Sequence, residues 1–222
     1  MSEHMALENL TVLDLTRVLA GPFCTMMLAD MGANVIKIEV PKGGDDTRGY
    51  PPFRAKNLNG ERESVYFANI NRNKKGITLN LKAPEGKEIF KELVKKADIV
   101  VENYRPGVMD KLGLGYDVLK EINPRIIYAA VSGFGCYGPY HLRPGYDILA
   151  QAMGGMMSIT GSKGGEPTRA GSALGDILGG LHVTIGILAA VNARTITGKG
   201  QRVDVSLMDS MIAATENTAL KY

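Results

Sequence analysis

Short apolar runs alternate with segments of helical periodicity along most of the chain. The run TVLDL (11–15) is typical of a strand, a helix is predicted from Pro22 to Gly32, and NVIKIE (34–39) follows as a second strand. Pro22 suits the first turn of a helix, where its missing N–H costs nothing, and Gly32 is a natural helix terminator. This order predicts a β-α-β unit at the start of the fold.

The alternation continues toward the C-terminal end. Four further apolar runs predict strands, namely GITLNLK (76–82), IVVEN (99–103), RIIYAAVSGFG (125–135) and QRVDVSL (201–207). Helices are predicted for 84–98, around Met109 and Val118, from near Tyr146, from near Asp176 and after Leu207. In the first of these, Ile89, Phe90, Leu93 and Val94 are predicted to share one buried face.

The segment 40–73 breaks the pattern, because it is rich in Gly, Pro, Asn and charged residues. We interpret it as an excursion that lines a site and has no helix or strand of its own. The whole pattern predicts an α/β fold with an open, mostly parallel Rossmann-like sheet and helices on both faces. DLTRVLAGPF after the first strand lacks the dinucleotide glycine fingerprint, so a nicotinamide or flavin cofactor is not supported.

Composition narrows the class of protein. The chain has 222 residues, 45% of them hydrophobic, which is enough for one substantial core. A net charge of +3 is too small to indicate nucleic-acid binding. Cys24 and Cys136 have no metal-ligand spacing and are expected to be small buried side chains. Because every apolar stretch is interrupted before the length of a bilayer span and no signal peptide is visible, we expect a cytoplasmic protein with no membrane partner.

One carboxylate stands nearly alone in GSALGDILGGLHVTIGILAAVNAR (171–194). Asp176 lies among small residues at the start of a long apolar helix, where a ligand can approach closely. An Asp in this place is also typical of a helix N-cap, and the two roles are compatible. His141 and His182 have no ligand partner at useful spacing, so structural roles are expected for both and no metal site is predicted.

Five separated motifs together carry a family resemblance: VLDLTRVLAGPF (12–23), GANVIKIE (32–39), NRNKKGITLNLK (71–82), ENY with RPG after it (102–107) and TGKGQRVDVSLMD (197–209). From about Leu7 onward the chain resembles the family III CoA-transferases, which include formyl-CoA:oxalate transferase and the carnitine CoA-transferase-like proteins. The resemblance implies that residues 1–222 are the N-terminal part of a large CoA-binding α/β domain. It also implies that a second small domain and a C-terminal return segment are absent here, and that members form interlocked homodimers. A piece of this length is therefore expected to be poorly active alone, oligomeric or dependent on further sequence.

The family's chemistry implies a role for Asp176, which matches the nucleophile of the LGD motif. The carboxylate would attack an acyl-CoA, expel CoA thiolate as a mixed anhydride forms, and then become an aspartyl-CoA thioester that an acceptor carboxylic acid opens. With an ordinary pKa of about 3.9, an aspartate is ionised at neutral pH and needs no neighbouring base. Acyl-CoA and a free carboxylic acid are the implied substrates, and no tightly bound cofactor is expected.

The resemblance also implies a set of binding residues for coenzyme A: Val18, Leu79, Lys82, Asn103, Tyr104, Val108, Lys111 and Leu112. The block 71–82 contains four cations and no acid, which suits the phosphates of CoA, and these cations are Arg72, Lys74, Lys75 and Lys82. A solvated surface loop is the ordinary alternative for such a block. Asn103 as a turn residue, Tyr104 as a packed aromatic and Lys111 as a solvated charge are also open.

Tyr146 in PGYDILAQ is the second predicted catalytic residue. Transferases of the family tend to have Tyr there, whereas the racemase branch has a His whose pKa suits proton transfer on an acyl-CoA. An α-methylacyl-CoA racemase or epimerase, or a noncatalytic CoA-binding fragment, remains an alternative function. Val40, Leu19 and Pro144 depart from the residues of the oxalate-type enzymes, which favours a larger or more apolar acceptor acid.

Overall fold

The structure is a computed structural model that describes residues 4–54, 60, 62–216 and 218. Its strands are β1 (Thr11–Asp14), β2 (Asn34–Glu39), β3 (Phe53–Arg54), β4 (Glu63–Ser64), β5 (Lys75–Thr78), β6 (Ile99–Glu102), β7 (Ile127–Ser132) and β8 (Arg202–Ser206). Its α-helices are α1 (Ala20–Asp30), α2 (Val65–Ile70), α3 (Pro84–Val94), α4 (Val108–Leu112), α5 (Tyr116–Ile122), α6 (Asp147–Met153), α7 (Leu174–Thr197) and α8 (Leu207–Ala214).

Six of these strands form one sheet in the order β5-β2-β1-β6-β7-β8, and every neighbouring pair is parallel. Val12 at the centre pairs with Val35 on one side and Ile99 on the other. All four residues of β6 are buried, as expected for a strand that is covered on both faces. The chain order reverses between β1 and β6, which makes their carboxyl ends the topological switch point of the sheet.

Helices cover both faces of the sheet, so the predicted fold class is confirmed. On one face α1 and α7 pack against β1, β6 and β7 around Cys24, Val183 and Ile187. On the other face α3 and α5 contribute Phe90 and Leu119 to a second core. Each apolar strand residue therefore faces one of two separate hydrophobic layers.

The glycines of α7 allow two close approaches that place its N-terminal turns. A side chain at Gly180 would meet the carbonyl oxygen of Ala20 at 2.7 Å, and one at Gly179 would collide with Leu207. Packing of α7 against α1 and α8 therefore requires small residues here. The run of small residues around Asp176 therefore has a structural reason.

The segment 40–73 was predicted to have no element of its own, and this was wrong. It contains a 3-10 turn at Asp46–Gly49, the antiparallel pair of β3 and β4, and α2. Two short polar signals start these elements: Asp45 accepts the Thr47 N–H at 3.0 Å, and the Ser64 hydroxyl caps α2 by accepting the Phe67 N–H at 3.2 Å. Residues 55–59 and 61 of this segment lie outside the described residues.

Several other details differ from the predictions. Helix α1 begins at Ala20, two residues before Pro22. Helix α3 ends at Val94, before the predicted end at residue 98. Ile89 is 51% exposed, so it does not share the buried face of Phe90 and Val94. Cys24 is buried as expected, whereas Cys136 is only partly buried.

Helix α7 corrects the expectation that every apolar stretch falls short of a membrane span. By length and composition alone its 24 residues would suffice to cross a bilayer. Its Val183, Ile187 and Ala190 are nevertheless fully buried in the hydrophobic core. The core helix of a globular protein passes the same test, so this length is weak evidence for a membrane.

Candidate active site

A cleft opens at the carboxyl ends of β1, β6 and β7, beside the N-terminal turn of α7. It lies at the topological switch point, where open α/β sheets bind their ligands. Its volume of about 190 Å³ is below the usual range for a ligand pocket, so a large ligand would extend beyond it over the surface. Five of the predicted site residues line it, namely Val18, Asn103, Tyr104, Tyr146 and Asp176.

Asp176 lies in the first turn of α7, and its place corrects the N-cap prediction. The N-cap is Ala173, and no side chain accepts a capping hydrogen bond there. The pKa of Asp176 is raised to about 7, mainly by burial and also by the negative charge of Asp147, while the positive charge of Arg169 opposes the rise. The expectation of an unperturbed, fully ionised aspartate at neutral pH was therefore wrong.

Asp147 fixes the backbone that carries Asp176. Its Oδ1 accepts the Gly175 N–H at 2.8 Å, and both carboxylate oxygens accept Gln151 Nε2 at 3.0 and 2.9 Å. Arg169 Nη2 lies 3.2 Å from Asp147 Oδ2. Gln151 Oε1 also accepts the Ala170 N–H at 2.9 Å. This network joins α6 to the loop before α7, so the position of Asp176 is set by buried hydrogen bonds.

Sequence reasoning missed Asp147, Gln151 and Arg169. The Asp and Gln are four residues apart in GYDILAQ, a spacing that places them on one face of α6. This spacing could have identified the pair from the sequence, although it does not show that Asp147 accepts the Gly175 N–H. Arg169 lies in a loop without periodicity, so no pattern connects it to Asp147.

Two tyrosines reach the surroundings of Asp176 from different segments. Tyr146 is the N-cap residue of α6, is 69% exposed and lines the cleft. Tyr66 comes from α2, and burial followed by the negative charge of Asp176 raises its pKa to about 12. Its ring lies edge-on against Tyr50, with centroids 5.8 Å apart. Tyr66 was not predicted, although the segment 40–73 that contains it was expected to line a site.

The opposite rim of the cleft is built from the loops after β1 and β6. Asn103 Oδ1 accepts the Arg17 N–H at 2.9 Å, and Asn103 Nδ2 donates to the Arg17 carbonyl at 2.7 Å. The next residue, Val18, has a φ of 68°, an unusual left-handed conformation for a β-branched residue. Two loops that are distant in sequence are thus clamped together where a ligand would pass.

The remaining predicted binding residues lie outside the cleft lining. Leu79 and Leu112 pack against the same hydrophobic core as Tyr104, which itself lines the cleft. Lys82 and Lys111 are exposed, and Val108 is partly buried. The lining of the cleft that contains Asp176 therefore does not include Leu79, Lys82, Val108, Lys111 or Leu112.

The basic block 71–82 does not present its cations as one surface. Lys74 is buried, with its Nζ 3.0 Å from Asp14 Oδ2, so its charge is paired inside the protein and is not presented to a ligand at the surface. Arg72 pairs with Asp30, and Lys75 Nζ donates to Asn34 Oδ1 at 2.8 Å. The cleft itself contains cations that sequence reasoning did not single out, and these are Arg17, Arg105 and Arg143.

The cysteines and histidines of the chain are less suited than Asp176 to act as nucleophiles or metal ligands. Burial raises the pKa of both cysteine thiols, Cys24 and Cys136, to about 12, so neither is a thiolate at neutral pH. His182 Nδ1 lies 3.0 Å from Ser210 Oγ, and His141 Nδ1 lies 2.7 Å from the Gly138 carbonyl. Within residues 4–54, 60, 62–216 and 218, no group of three His, Cys, Asp or Glu side chains is placed to hold a metal ion.

Comparisons with known proteins agree on one family. The family described as CoA-transferase family III matches residues 7–222. An acyl-CoA transferase of Fusarium pseudograminearum is 50% identical over all of this chain and 49% of its own length. A succinyl-CoA:mesaconate CoA-transferase of Haloarcula marismortui is 48% identical over 98% of this chain and 55% of its own.

A solved structure gives the same result for the fold. The crystal structure of a CAIB/BAIF family protein from Brucella suis is 45% identical, with a TM-score of 0.94 over 99% of this chain and 58% of that one. The chain thus spans about half the length of the curated relatives that it matches.

Proposed function

Because the chain belongs to CoA-transferase family III, we propose that it moves coenzyme A between an acyl-CoA thioester and a free carboxylic acid, with Asp176 as the nucleophile. The single observation that carries this proposal is the position of Asp176, a half-buried carboxylate at the switch-point cleft. No cysteine or histidine of the cleft competes for the role among the described residues.

The reaction begins when an Asp176 oxygen attacks the thioester carbonyl. The C–S bond breaks, CoA leaves as the thiolate, and a mixed anhydride joins Asp176 to the acyl group. The thiolate then attacks the aspartyl carbonyl, which releases the donor acid as its carboxylate and leaves an aspartyl-CoA thioester. The acceptor carboxylate reverses these two steps, so CoA changes partner with no net consumption of water or protons.

The surrounding side chains have distinct roles in this proposal. Asp147 holds the Gly175 N–H, so it orients the turn that carries the nucleophile and touches no reacting atom. The positive end of α7 and the Arg169 guanidinium stabilise negative charge near Asp176. Tyr146, which lines the cleft, and Tyr66, whose pKa is raised in part by the charge of Asp176, help to exclude the water that would hydrolyse an anhydride.

We propose that the acids exchanged are dicarboxylic. Arg17, Arg105 and Arg143 are exposed cations in a cleft that already contains the nucleophile, and a second carboxylate of the substrate would pair with one of them. The name of the Haloarcula relative contains two dicarboxylic acids. Succinate and butyrate are nearly equal in length, so a comparison of the two as acceptors tests the second carboxylate directly. Equal rates with both acids would contradict this assignment.

The nucleophile is tested by trapping the acylated enzyme. The chain is incubated with succinyl-CoA and hydroxylamine, and its peptides are analysed by mass spectrometry for a hydroxamate on Asp176. Asp176→Asn should give no adduct, whereas Asp117→Asn, a change at an exposed site on α5, should give the native amount. If acyl-CoA is bound but no hydroxamate forms at Asp176, the proposed mechanism is wrong.

The same samples separate the alternatives. In heavy water a racemase or epimerase would introduce deuterium at the α-carbon of a 2-methylacyl-CoA, and we expect none. A noncatalytic CoA-binding chain would bind the thioester and yield neither product. Transfer of CoA to an acceptor acid, without α-deuteration, is the result expected of a transferase.

Self-association is part of the proposal. Leu181, Ile185 and Ile196 leave apolar side chains exposed along one side of α7. An exposed apolar stripe of this kind supports association with further polypeptide. We expect sedimentation equilibrium to show a dimer or larger species, and a monomer at tens of micromolar would contradict it.

A further inference from the structure

Glu102 is a buried carboxyl group that the proposed reaction does not use. It is the last residue of β6 and is only 6% exposed. Asn103 and Tyr104 follow it directly, and both line the cleft. Its side chain points into the protein beside the loop that forms the rim of the cleft, so its effect on a ligand must pass through that loop.

Both oxygens of Glu102 accept hydrogen bonds. Oε2 accepts the backbone N–H of Tyr104 at 2.7 Å, and Oε1 accepts the hydroxyl of Tyr128 at 3.1 Å. A charged carboxylate satisfies two donors in this way, whereas a protonated carboxyl group carries a donor of its own on one oxygen. The ionised form therefore fits this geometry, and protonation weakens the bond to Tyr104 or the bond to Tyr128.

Groups from four elements or loops face Glu102, and they oppose one another. Burial is the main influence and raises its pKa to about 7. The hydrogen bonds from Tyr104 and Tyr128 lower the pKa, as does the positive charge of Arg202 on β8. Asp110 on α4 raises it. Glu102 is consequently able to change protonation state in the physiological range, although it is almost inaccessible to solvent.

The loop that Glu102 holds is also tied to the other rim of the cleft. The side chain of Asn103 exchanges two hydrogen bonds with the backbone of Arg17. The next residue, Val18, has its N–H 3.3 Å from Asp45 Oδ1 and keeps a left-handed backbone conformation. A loosened turn at Tyr104 would therefore disturb both loops, since neither is supported there by regular secondary structure.

We propose that Glu102 is a positioning residue for coenzyme A: its ionised carboxylate holds the turn of Asn103 and Tyr104 against Arg17, and CoA binds to this ordered rim with release of the proton from Glu102. The inference rests on the proposed function, because it takes the rim to contact CoA. By linkage, bound CoA lowers the pKa of Glu102 as much as ionised Glu102 favours CoA.

The test measures CoA affinity by isothermal titration calorimetry at pH 6, 7 and 8. All proteins carry Asp176→Asn, which removes the other carboxyl group with a pKa near 7. In this background the affinity should fall about five- to tenfold more between pH 8 and 6 than it does after Glu102→Gln, since a group with a pKa near 7 is mostly ionised at pH 8 and mostly protonated at pH 6. The phosphates of CoA titrate equally in every variant, so the difference belongs to Glu102.

Glu121→Gln is the matched control, because Glu121 is an exposed carboxylate at the end of α5. It should keep the pH dependence of the parent. Tyr128→Phe supplies a second variant that keeps Glu102 and removes one of its donors. Loss of that donor should move the midpoint of the affinity change to higher pH, a shift that a merely structural role of Glu102 would not produce.

The outcomes separate this inference from the function on which it rests. If CoA binds and Glu102→Gln leaves the pH dependence unchanged, the inference is wrong and the transferase proposal stands. If no protein binds CoA at pH 8, both are wrong. If Glu102→Gln fails to fold, the midpoint with Tyr128→Phe decides, and an unmoved midpoint overturns the inference.

Discussion

Asp14 and Asp176 are two carboxylates near the same edge of the sheet, and their pKa values shift in opposite directions. Asp14 ends β1 and is completely buried, yet its pKa lies below the ordinary value. Asp176 is only partly buried, yet its pKa is raised to about 7. Depth of burial therefore does not decide which carboxylate is ionised.

The difference lies in the cations. Burial alone would raise the pKa of Asp14, but the charges of Lys74 and Lys37 and hydrogen bonds from Thr16 and Thr25 outweigh it. Asp176 has Arg169 as its favourable charge, and Arg169 is paired directly with Asp147. One region is a neutralised structural network, and the other keeps a carboxylate whose charge is only partly compensated. This second condition is typical of functional sites.

The largest expected effect comes from removing the cation of the structural region. Lys74→Met leaves Asp14 buried without its nearest cation, so we expect the free energy of unfolding to fall by about 3–5 kcal/mol. Lys75→Met is the control, because the adjacent Lys75 is exposed and donates to the neutral Asn34, and it should change stability by about 0–1 kcal/mol. Urea unfolding measures both. A loss below about 1 kcal/mol for Lys74→Met would contradict the comparison.

A smaller effect is expected between pH 8 and 6, where the reactivity of Asp176 should change and the stabilising contribution of Asp14 should not. If Asp176 attacks as the carboxylate, acylation should slow about tenfold between pH 8 and 6, because protonation increases through a pKa of about 7. The folded pKa values of Asp14 and Asp45 are lowered, so their contribution to stability is present above pH 4 and is lost only as the pH falls below it. Their contribution should thus be unchanged from pH 8 to 6. Single-turnover acylation checks the first expectation. The second is checked by the loss of stability caused by Asp14→Asn, measured by urea unfolding at each pH, because Asp176 and Glu102 titrate in both proteins and their effect cancels in the difference.

The structural region also shows where sequence reasoning stopped. The parallel strands could be predicted because β6 and β7 are apolar on both faces, which a short uninterrupted run reports directly. The sequence did not distinguish Lys74 from its neighbours in the basic block, because a row of cations has the same pattern whether all of them are exposed or one points inward. Only the packing of β5 beside β2 shows that Lys74 meets Asp14.

In the candidate site, too, residues with a local sequence pattern were predicted and residues brought in by long-range packing were not. Asp176 stood out because its surroundings lack other charges, and Tyr146, Asn103 and Tyr104 were carried by motifs of the family. Tyr66 and Arg169 come from segments without periodicity and approach Asp176 through long-range packing. Local pattern does not encode such contacts. The N-cap prediction for Asp176 was wrong because the N-cap is Ala173, which has no capping side chain, and Asp176 lies inside the first turn of the helix.

Changes at Arg169 and Asp147 should shift the pKa of Asp176 in opposite directions. Arg169→Gln removes the charge that lowers the pKa of Asp176, so the acid limb of acylation should move to higher pH. Asp147→Asn removes the charge that raises it, so the limb should move to lower pH. Each shift should be about half a pH unit, or roughly 0.7 kcal/mol. Shifts of the same sign in both variants would contradict the electrostatic account of the site.

The smallest expected effect is the reciprocal one at Tyr66. The negative charge of Asp176 contributes to the raised pKa of Tyr66, although burial is the larger cause. Asp176→Asn should therefore lower the pKa of Tyr66 by a few tenths of a unit and leave it above the ordinary value of about 10. Titration of ¹³Cζ-labelled tyrosine by NMR, with Tyr66→Phe to assign the signal, measures the shift. An unchanged pKa would mean that Asp176 and Tyr66 do not interact, and would remove Tyr66 from the surroundings of the proposed nucleophile.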